Sequence, residues 1–345
     1  MRAWQLCAHG RPGQWRWTEL PDPEPGPEEV LVEVHFCGLN HLDLWVEEGG
    51  LPVPVALPRV PGAEVSGVVL RTGREVRGLA PGVRVAVQSN LFCGTCEFCQ
   101  MGEESICLNG RLLGVDCDGG LAERVCVPAH AVVPLPEGVG CKEAAALTLA
   151  ASTAMHILTH RAQVQPGQWV LVMAAGSGVG SAAIQIARGL GARVITTGST
   201  PEKRELGLRL GAELAVDVSD PDWPRKVRAH TGRRGVDLVV EHIGGAVLEQ
   251  VFSCLARNGT VVTCGATAGR QPTLALWPFF VKQHRLIGSY GRNRASLLRT
   301  LEWAATGRLR PVLDSVHPLE RALDGLVRLR ERRALGKVLI QVKSG

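Results

Sequence analysis

Trp169-Val-Leu-Val-Met-Ala-Ala-Gly-Ser-Gly-Val-Gly180 is the stretch on which the fold turns. Its first five residues, 169–173, form an apolar run of the length expected of a buried strand. Glycines follow at 176, 178 and 180, and a helical pattern then runs from Gly180 to Leu190. A glycine-rich loop alone is weak evidence of a nucleotide site, but one with a strand before it and a helix after it is strong. The glycines let the backbone approach a pyrophosphate, whose charge is stabilised by the free N–H groups and dipole at the helix start. Gly176, Ser177, Gly178, Val179 and Gly180 are therefore candidate cofactor contacts; the plainer alternative is a tight turn.

Downstream the same texture repeats. Arg193–Thr197 reads as a strand, Pro201–Leu210 as a helix, and Asp237–Glu241 and Thr260–Cys264 as further strands. This alternation predicts a parallel sheet covered by helices on both faces. Upstream, short alternating runs at 30–34, 65–69 and 83–87 are separated by Gly and Pro, with a proline-rich connector at 21–27. That is the pattern of an irregular β-barrel. The change falls near Lys142, where an Ala- and Leu-rich helix is predicted over Glu143–Ala162. The last fifty residues return to strands, so both termini are expected to complete the barrel. The predicted division is 1–140 with 291–345 for the barrel domain and 141–290 for the nucleotide domain.

The second strand's end selects the cofactor. NAD-preferring sites place a carboxylate about 20 residues after the loop, on the ribose hydroxyls. Here that place reads Gly198-Ser199-Thr200, with Lys203 and Arg204 just beyond. A hydroxyl and two cations suit a 2′-phosphate, so NADP(H) is expected. The plainer alternative makes Lys203 and Arg204 surface residues.

Four of the eleven cysteines cluster as Cys93, Cys96, Cys99 and Cys107. Four thiolates at this spacing can close a tetrahedral zinc shell with no open position, which marks a structural site in a lobe spanning 91–108. A redox pair is the alternative. The other cysteines lie scattered in apolar contexts, as reduced core cysteines do.

A net charge of +5 without a basic stripe does not suggest nucleic-acid binding. No apolar run reaches the ~18 residues of a membrane span, and the N-terminal residues do not read as a secretion signal. A cytoplasmic protein acting on a small molecule is expected.

Taken together, Gly38–Trp45, Pro61–Glu64, the cysteine lobe, Ala174–Gly180, Gly235–His242, Val262–Ala266 and Gly336–Leu339 resemble the medium-chain dehydrogenase/reductase superfamily. The likeness spans essentially the whole chain and is nearest to quinone oxidoreductase relatives that carry a zinc lobe. It implies a GroES-like β-barrel catalytic domain, a doubly wound Rossmann domain and a homodimer. It also implies cofactor contacts from Thr153, His242, Gly265, Ala266 and Ser289.

Zinc alcohol dehydrogenases of this superfamily carry a second, catalytic metal. The places matching its three ligands read Asn40, Ala63 and Leu149, and the relay hydroxyl is replaced by Leu42. Without a Lewis acid to stabilise an alkoxide, alcohol oxidation is handicapped. Reduction of an activated C=C bond or a quinone needs less help, because the charge delocalises and hydrogen-bond donors suffice. The expectation is an NADPH-dependent enone or quinone reductase, with Asn40, His41 and Tyr290 as catalytic candidates. Two rivals stay open: a zinc alcohol dehydrogenase with an atypical site from His41, Asp43 and Glu64, and a non-catalytic NADPH-binding scaffold or sensor.

Overall fold

The structure, a computed structural model, describes residues 1–343. The chain divides into two compact units, Met1–Ser152 with Arg292–Gly345, and Thr153–Gly291.

The first unit is built on a seven-stranded sheet, anchored by the long strand Glu29–Gly38. Its neighbours are Glu64–Thr72, Arg124–Pro128 and the closing strand Lys337–Gln341, all antiparallel to it. The alternation seen in the sequence sends Val30, Val32 and Val34 inward. They meet Val65, Val69, Val85, Val87, Val125, Val127, Val338 and Ile340 in one core. Burying a Val or Ile side chain stabilises by about 1.5–3 kcal/mol, so this interior dominates the unit's stability. Gly38 pairs with Glu64 on one side and Leu339 on the other. This register brings residues from both ends of the chain to one place.

The helix expected over 143–162 is not continuous. One short helix covers Cys141–Ala145, a second Ala150–His156, and a wider turn Ile157–Arg161 follows. The interruption has a cause outside the segment. The Glu64 carboxylate takes the backbone N–H of Leu149 at 2.6 Å and of Ala150 at 3.2 Å, and so caps a new helix start. The division between the units also falls later than the composition suggested. Cys141–Ala145 packs on the barrel strands Glu29–Gly38, Glu64–Thr72 and Arg84–Val87, so residues up to 152 belong with the barrel.

In the second unit six parallel strands follow the spatial order Leu214–Asp217, Arg193–Gly198, Trp169–Val172, Val236–Glu241, Leu255–Thr263, Arg285–Gly288. In chain order this is 3-2-1-4-5-6, the doubly wound arrangement. Leu171, Ile195, Val239 and Val261 lie in its core with Trp223, Val251 and Leu255. The order reverses between Trp169–Val172 and Val236–Glu241. A crevice forms at such a point, outside the carboxyl ends of the strands. No helix among the described residues is long and apolar enough to cross a membrane.

Candidate active site

The glycine-rich loop occupies the switch point of the second unit. Ser177 caps the helix Gly178–Gly189 by accepting the Gly180 N–H at 2.8 Å. Its hydroxyl also hydrogen-bonds His242 Nε2 at 3.0 Å, tying the loop to the end of the neighbouring strand. A Cβ on Gly180 would stand 2.1 Å from the Ala174 carbonyl oxygen, so the turn is closed to any side chain there. These features fit a pyrophosphate-binding turn.

A second loop pair is organised by Glu241, a buried carboxylate that sequence reasoning passed over. It accepts the N–H groups of Ile243 and Gly244 at 2.6 and 2.8 Å and the Thr263 hydroxyl at 3.0 Å. It thereby holds the stretches containing His242, Gly265 and Ala266 together. Burial raises its carboxyl above the ordinary range, against the pull of these donors. Ser289 follows the last strand and is buried, and its hydroxyl has no hydrogen-bond partner. An orphaned hydroxyl beside a nucleotide loop fits a cofactor contact. Thr153 is also buried, on the helix Ala150–His156.

The two candidate phosphate cations differ in their surroundings. Arg204 donates to the Gly198 carbonyl at 3.2 Å and to Asp217 Oδ2 at 2.7 Å, so its charge is balanced within the protein. Asp217 is a carboxylate the linear reading missed, because it enters from the adjacent strand in register with Gly198. The stem of Lys203 lies over the glycine loop, where a Cβ on Gly176 would meet its Cγ at 2.8 Å. Ser199 is exposed beside Thr200, which caps the helix Pro201–Arg209. We expect Lys203→Ala to raise the KM for NADPH about tenfold, the scale of one charge-assisted contact. The KM for NADH should hardly move. Arg204→Ala should act less selectively, because it also strands Asp217. Steady-state kinetics with both nucleotides checks this.

On the first unit the four lobe thiols converge. Sγ separations are 3.5 Å for Cys93–Cys107, 3.8 Å for Cys96–Cys107 and 4.0 Å for Cys93–Cys99. A tetrahedron with Zn–S bonds of ~2.3 Å has edges of about 3.8 Å. The set fits zinc with no position left over. The Cys93 thiol is lowered to about 5, chiefly by the backbone N–H of Thr95 and then its hydroxyl, which suits a thiolate ligand. Among the described residues of this unit no other group of three or more His, Cys, Asp or Glu comes together closely enough to hold a metal, and His41, Asp43 and Glu64 do not form one.

Asn40, Glu64 and Lys337 meet where the register of Glu29–Gly38 brings its neighbours. Lys337 Nζ donates to Glu64 Oε2 at 2.6 Å, Asn40 Oδ1 at 2.8 Å and the Leu39 carbonyl at 2.8 Å. The Asn40 amide donates to the Gly38 carbonyl at 3.1 Å and to Glu64 Oε2 at 3.0 Å. Both Asn40 N–H bonds are thus engaged inside the protein, and the side chain braces the loop. Of the three former ligand places, Asn40 is part of this network, Ala63 adjoins Glu64, and the Leu149 N–H is bound by Glu64. Lys337 and Glu64 are both buried.

Asp43 closes the same loop by accepting the Asn40 N–H at 2.8 Å. Burial raises its carboxyl to about 6, against the backbone N–H of Asn40 and the Lys337 charge. Its folded pKa lies above the unfolded value of about 3.9. Its contribution to stability is therefore present below pH ~4 and is lost as pH rises through about 6. Asp43→Asn does not titrate. The stability of that variant relative to the parent should improve by about 2 kcal/mol from pH 4 to pH 7, measured by denaturant unfolding at both.

His41 begins the helix His41–Glu48. Burial, then the charges of Arg332 and Lys337, lower its imidazole below the ordinary value. Tyr290, on the second unit, is 57% exposed.

Residues 26–137 match the alcohol dehydrogenase GroES-like domain family and residues 178–306 the zinc-binding dehydrogenase family. An alcohol dehydrogenase of Schizosaccharomyces pombe is 31% identical, over 97% of this chain and 95% of its own. Quinone oxidoreductase-like protein 2 of Bos taurus is 32% identical, over 92% and 86%. A crystal structure of an NAD-dependent alcohol dehydrogenase superposes with a TM-score of 0.95 at 41% identity, covering 99% of this chain and 100% of that one. With a GroES-like domain, a doubly wound nucleotide domain and these relatives, the chain belongs to the zinc-type alcohol dehydrogenase-like branch of the medium-chain dehydrogenase/reductase superfamily and is an oxidoreductase.

Proposed function

We propose that the protein is an NADPH-dependent reductase of enones or quinones that transfers hydride without a catalytic metal. One observation carries the reading. The places of the three catalytic ligands hold Asn40, Ala63 and Leu149, and a lysine–glutamate pair closes the space around them. A second zinc there would find one neutral amide, a methyl group and an isobutyl group, none of which is a ligand for it.

The cofactor supplies the hydride. Gly176–Gly180, Ser289 and Lys203 would bind and orient it, with Ser199 and Lys203 serving a 2′-phosphate. Glu241 fixes the loops bearing His242, Gly265 and Ala266. Asn40 holds the loop end at His41, whose imidazole can relay a proton, giving one to the reduced acceptor from one ring nitrogen while the other takes one up from solvent. Tyr290 is the second candidate donor. Cys93, Cys96, Cys99 and Cys107 would hold one structural zinc.

We further propose a homodimer formed at the edge of the parallel sheet. Leu286 on the edge strand is exposed, as are Leu276, Trp277, Phe280 and Val281 of the helix Leu276–Val281, with Trp277 at 73%. Apolar surface of this kind marks an interface. Sedimentation of the parent and of Trp277→Glu checks it, the variant being expected to run as a monomer.

The functional reading is tested by NADPH consumption with a panel of enones, quinones and aldehydes, with alcohols plus NADP+ in reverse. Turnover confined to enones or quinones is expected. The alcohol dehydrogenase names of the relatives favour the opposite result, and turnover of alcohols or aldehydes would sink the proposal. Tight NADPH binding with no turnover would make the protein a scaffold or sensor.

A further inference from the structure

We infer that Asp217 is a specificity-determining residue for the nicotinamide cofactor: it holds Arg204 and so limits the preference for a 2′-phosphate. The inference rests on the NADP(H) reading above and deepens it.

Strand Arg193–Gly198 ends where a doubly wound domain receives the ribose of its dinucleotide. A side chain at Gly198 has no room there. Its Cβ would stand 2.9 Å from the Arg204 backbone nitrogen, 3.0 Å from Arg204 Cγ and 3.1 Å from the Lys203 carbonyl carbon. A carboxylate at position 198 is thus excluded unless the start of helix Pro201–Arg209 moves. One comes instead from the edge strand Leu214–Asp217, whose last residue pairs with Gly198. Asp217 divides its two oxygens. Oδ1 accepts the Ser219 N–H at 2.9 Å and the Ser219 hydroxyl at 2.6 Å, which closes the turn beyond the strand. Oδ2 accepts Arg204 Nη1 at 2.7 Å. The same Nη1 donates to the Gly198 carbonyl at 3.2 Å, so the guanidinium is laid across the strand end.

The pairing has an electrostatic consequence. Arg204 sits at the strand end with its charge already matched, and a 2′-phosphate that reaches it also meets the Asp217 carboxylate beyond. The two side chains are 24% and 32% exposed. Ion pairs open to water to this extent are weak, so a phosphate can compete for Arg204. It does so against a carboxylate, a repulsion that the uncharged ribose hydroxyl of NADH does not meet. The advantage of NADPH is left mainly to Lys203, and both nucleotides are admitted.

The experiment measures Kd for NADPH and NADH by fluorescence titration of full-length, zinc-loaded protein, so it needs no turnover. It compares the parent with Asp217→Asn, Glu202→Gln and the Asp217→Asn/Arg204→Gln double variant. Asp217→Asn is nearly isosteric, and Ser219 decides how its amide turns. The oxygen stays with the two Ser219 donors, and the amide N–H groups then face Arg204 and release it. Kd for NADPH should fall by about fivefold or more, within the range of one charge-assisted bond. Kd for NADH should change less than about twofold. The double variant should lose the gain, because the gain comes from the released guanidinium. Glu202→Gln removes an exposed carboxylate from the same helix start and should leave the ratio of the two Kd values within about twofold of the parent's.

An unchanged ratio in Asp217→Asn would make Asp217 a turn cap only and overturn the inference. A rise in Kd for NADPH would overturn it as well, by showing that Asp217 aims Arg204 at the phosphate. So would an equal gain in Glu202→Gln, or a gain that survives in the double variant, since either would trace the effect to net charge alone. A parent that binds NADH more tightly than NADPH is a different failure, that of the NADP(H) reading. Asp217→Asn must still move the ratio toward NADPH in that case for the inference to stand.

Discussion

Replacing Gly180 by alanine is expected to abolish nucleotide binding, with the Kd for NADPH rising at least a hundredfold and the second unit losing stability. The added methyl would sit 2.1 Å from the Ala174 carbonyl oxygen and 2.8 Å from the Met173 carbonyl oxygen. Both obstacles are backbone, so the loop itself must move. Movement costs the Ser177 cap on Gly180 N–H and the N–H alignment that would receive the pyrophosphate. Overpacking at such a contact costs about 1–3 kcal/mol before the lost binding is counted. Gly176→Ala provides the contrast. Its methyl meets the flexible stem of Lys203, which can swing aside, so its effect should be several-fold smaller and specific to NADPH over NADH. Fluorescence titration of the two variants with both nucleotides checks the ranking.

The second large effect is expected in the cysteine lobe. Cys96→Ser should release the structural metal and lower the unfolding temperature by about 10 °C or more, equivalent to several kcal/mol for a protein of this size. The lobe has little else to hold it. Its helix Glu97–Gln100 has four residues, none of them buried, and Met101, Ile106 and Leu108 are exposed. Apart from the thiols, its ties to the barrel include Arg294 N–H to Glu104 and His130 to the Phe92 carbonyl oxygen. Without the metal, limited proteolysis should cut first between residues 92 and 110. Activity should be lost later than metal, as unfolding proceeds, and not in step with it. Metal analysis, calorimetry and protease digestion on one preparation distinguish the two sequences of events.

Much of this architecture is legible in the chain because local chemistry decides it. The strand–glycine–helix run at 169–190 and the cysteine spacing at 93–107 each place their chemistry within a short window. What escapes the linear reading is set by partners far away. The apparently continuous helix over 143–162 is broken because Glu64, some 85 positions earlier, takes the Leu149 N–H. Asn40 has the composition of a substrate-facing donor, but its N–H bonds are spent on Gly38 and Glu64 once the strands pair. Lys337 sits in a motif that only announces a closing strand, and its meaning appears when that strand lies beside Gly38. Arg204 looks like Lys203 in sequence until Asp217 arrives from the next strand.

These cases share a physical reason. Periodicity and turn chemistry report on backbone conformation, whereas the commitment of a buried polar group depends on every partner it meets. The dismantled ligand set could be read residue by residue. The ion pair that fills its surroundings could not.

The most direct test of metal-free hydride transfer is the zinc content per chain of a preparation that is actively reducing an enone with NADPH. One zinc per chain at full specific activity, unchanged when zinc is added, is the predicted result. Two zincs per chain, with activity rising and falling with the second, would contradict it.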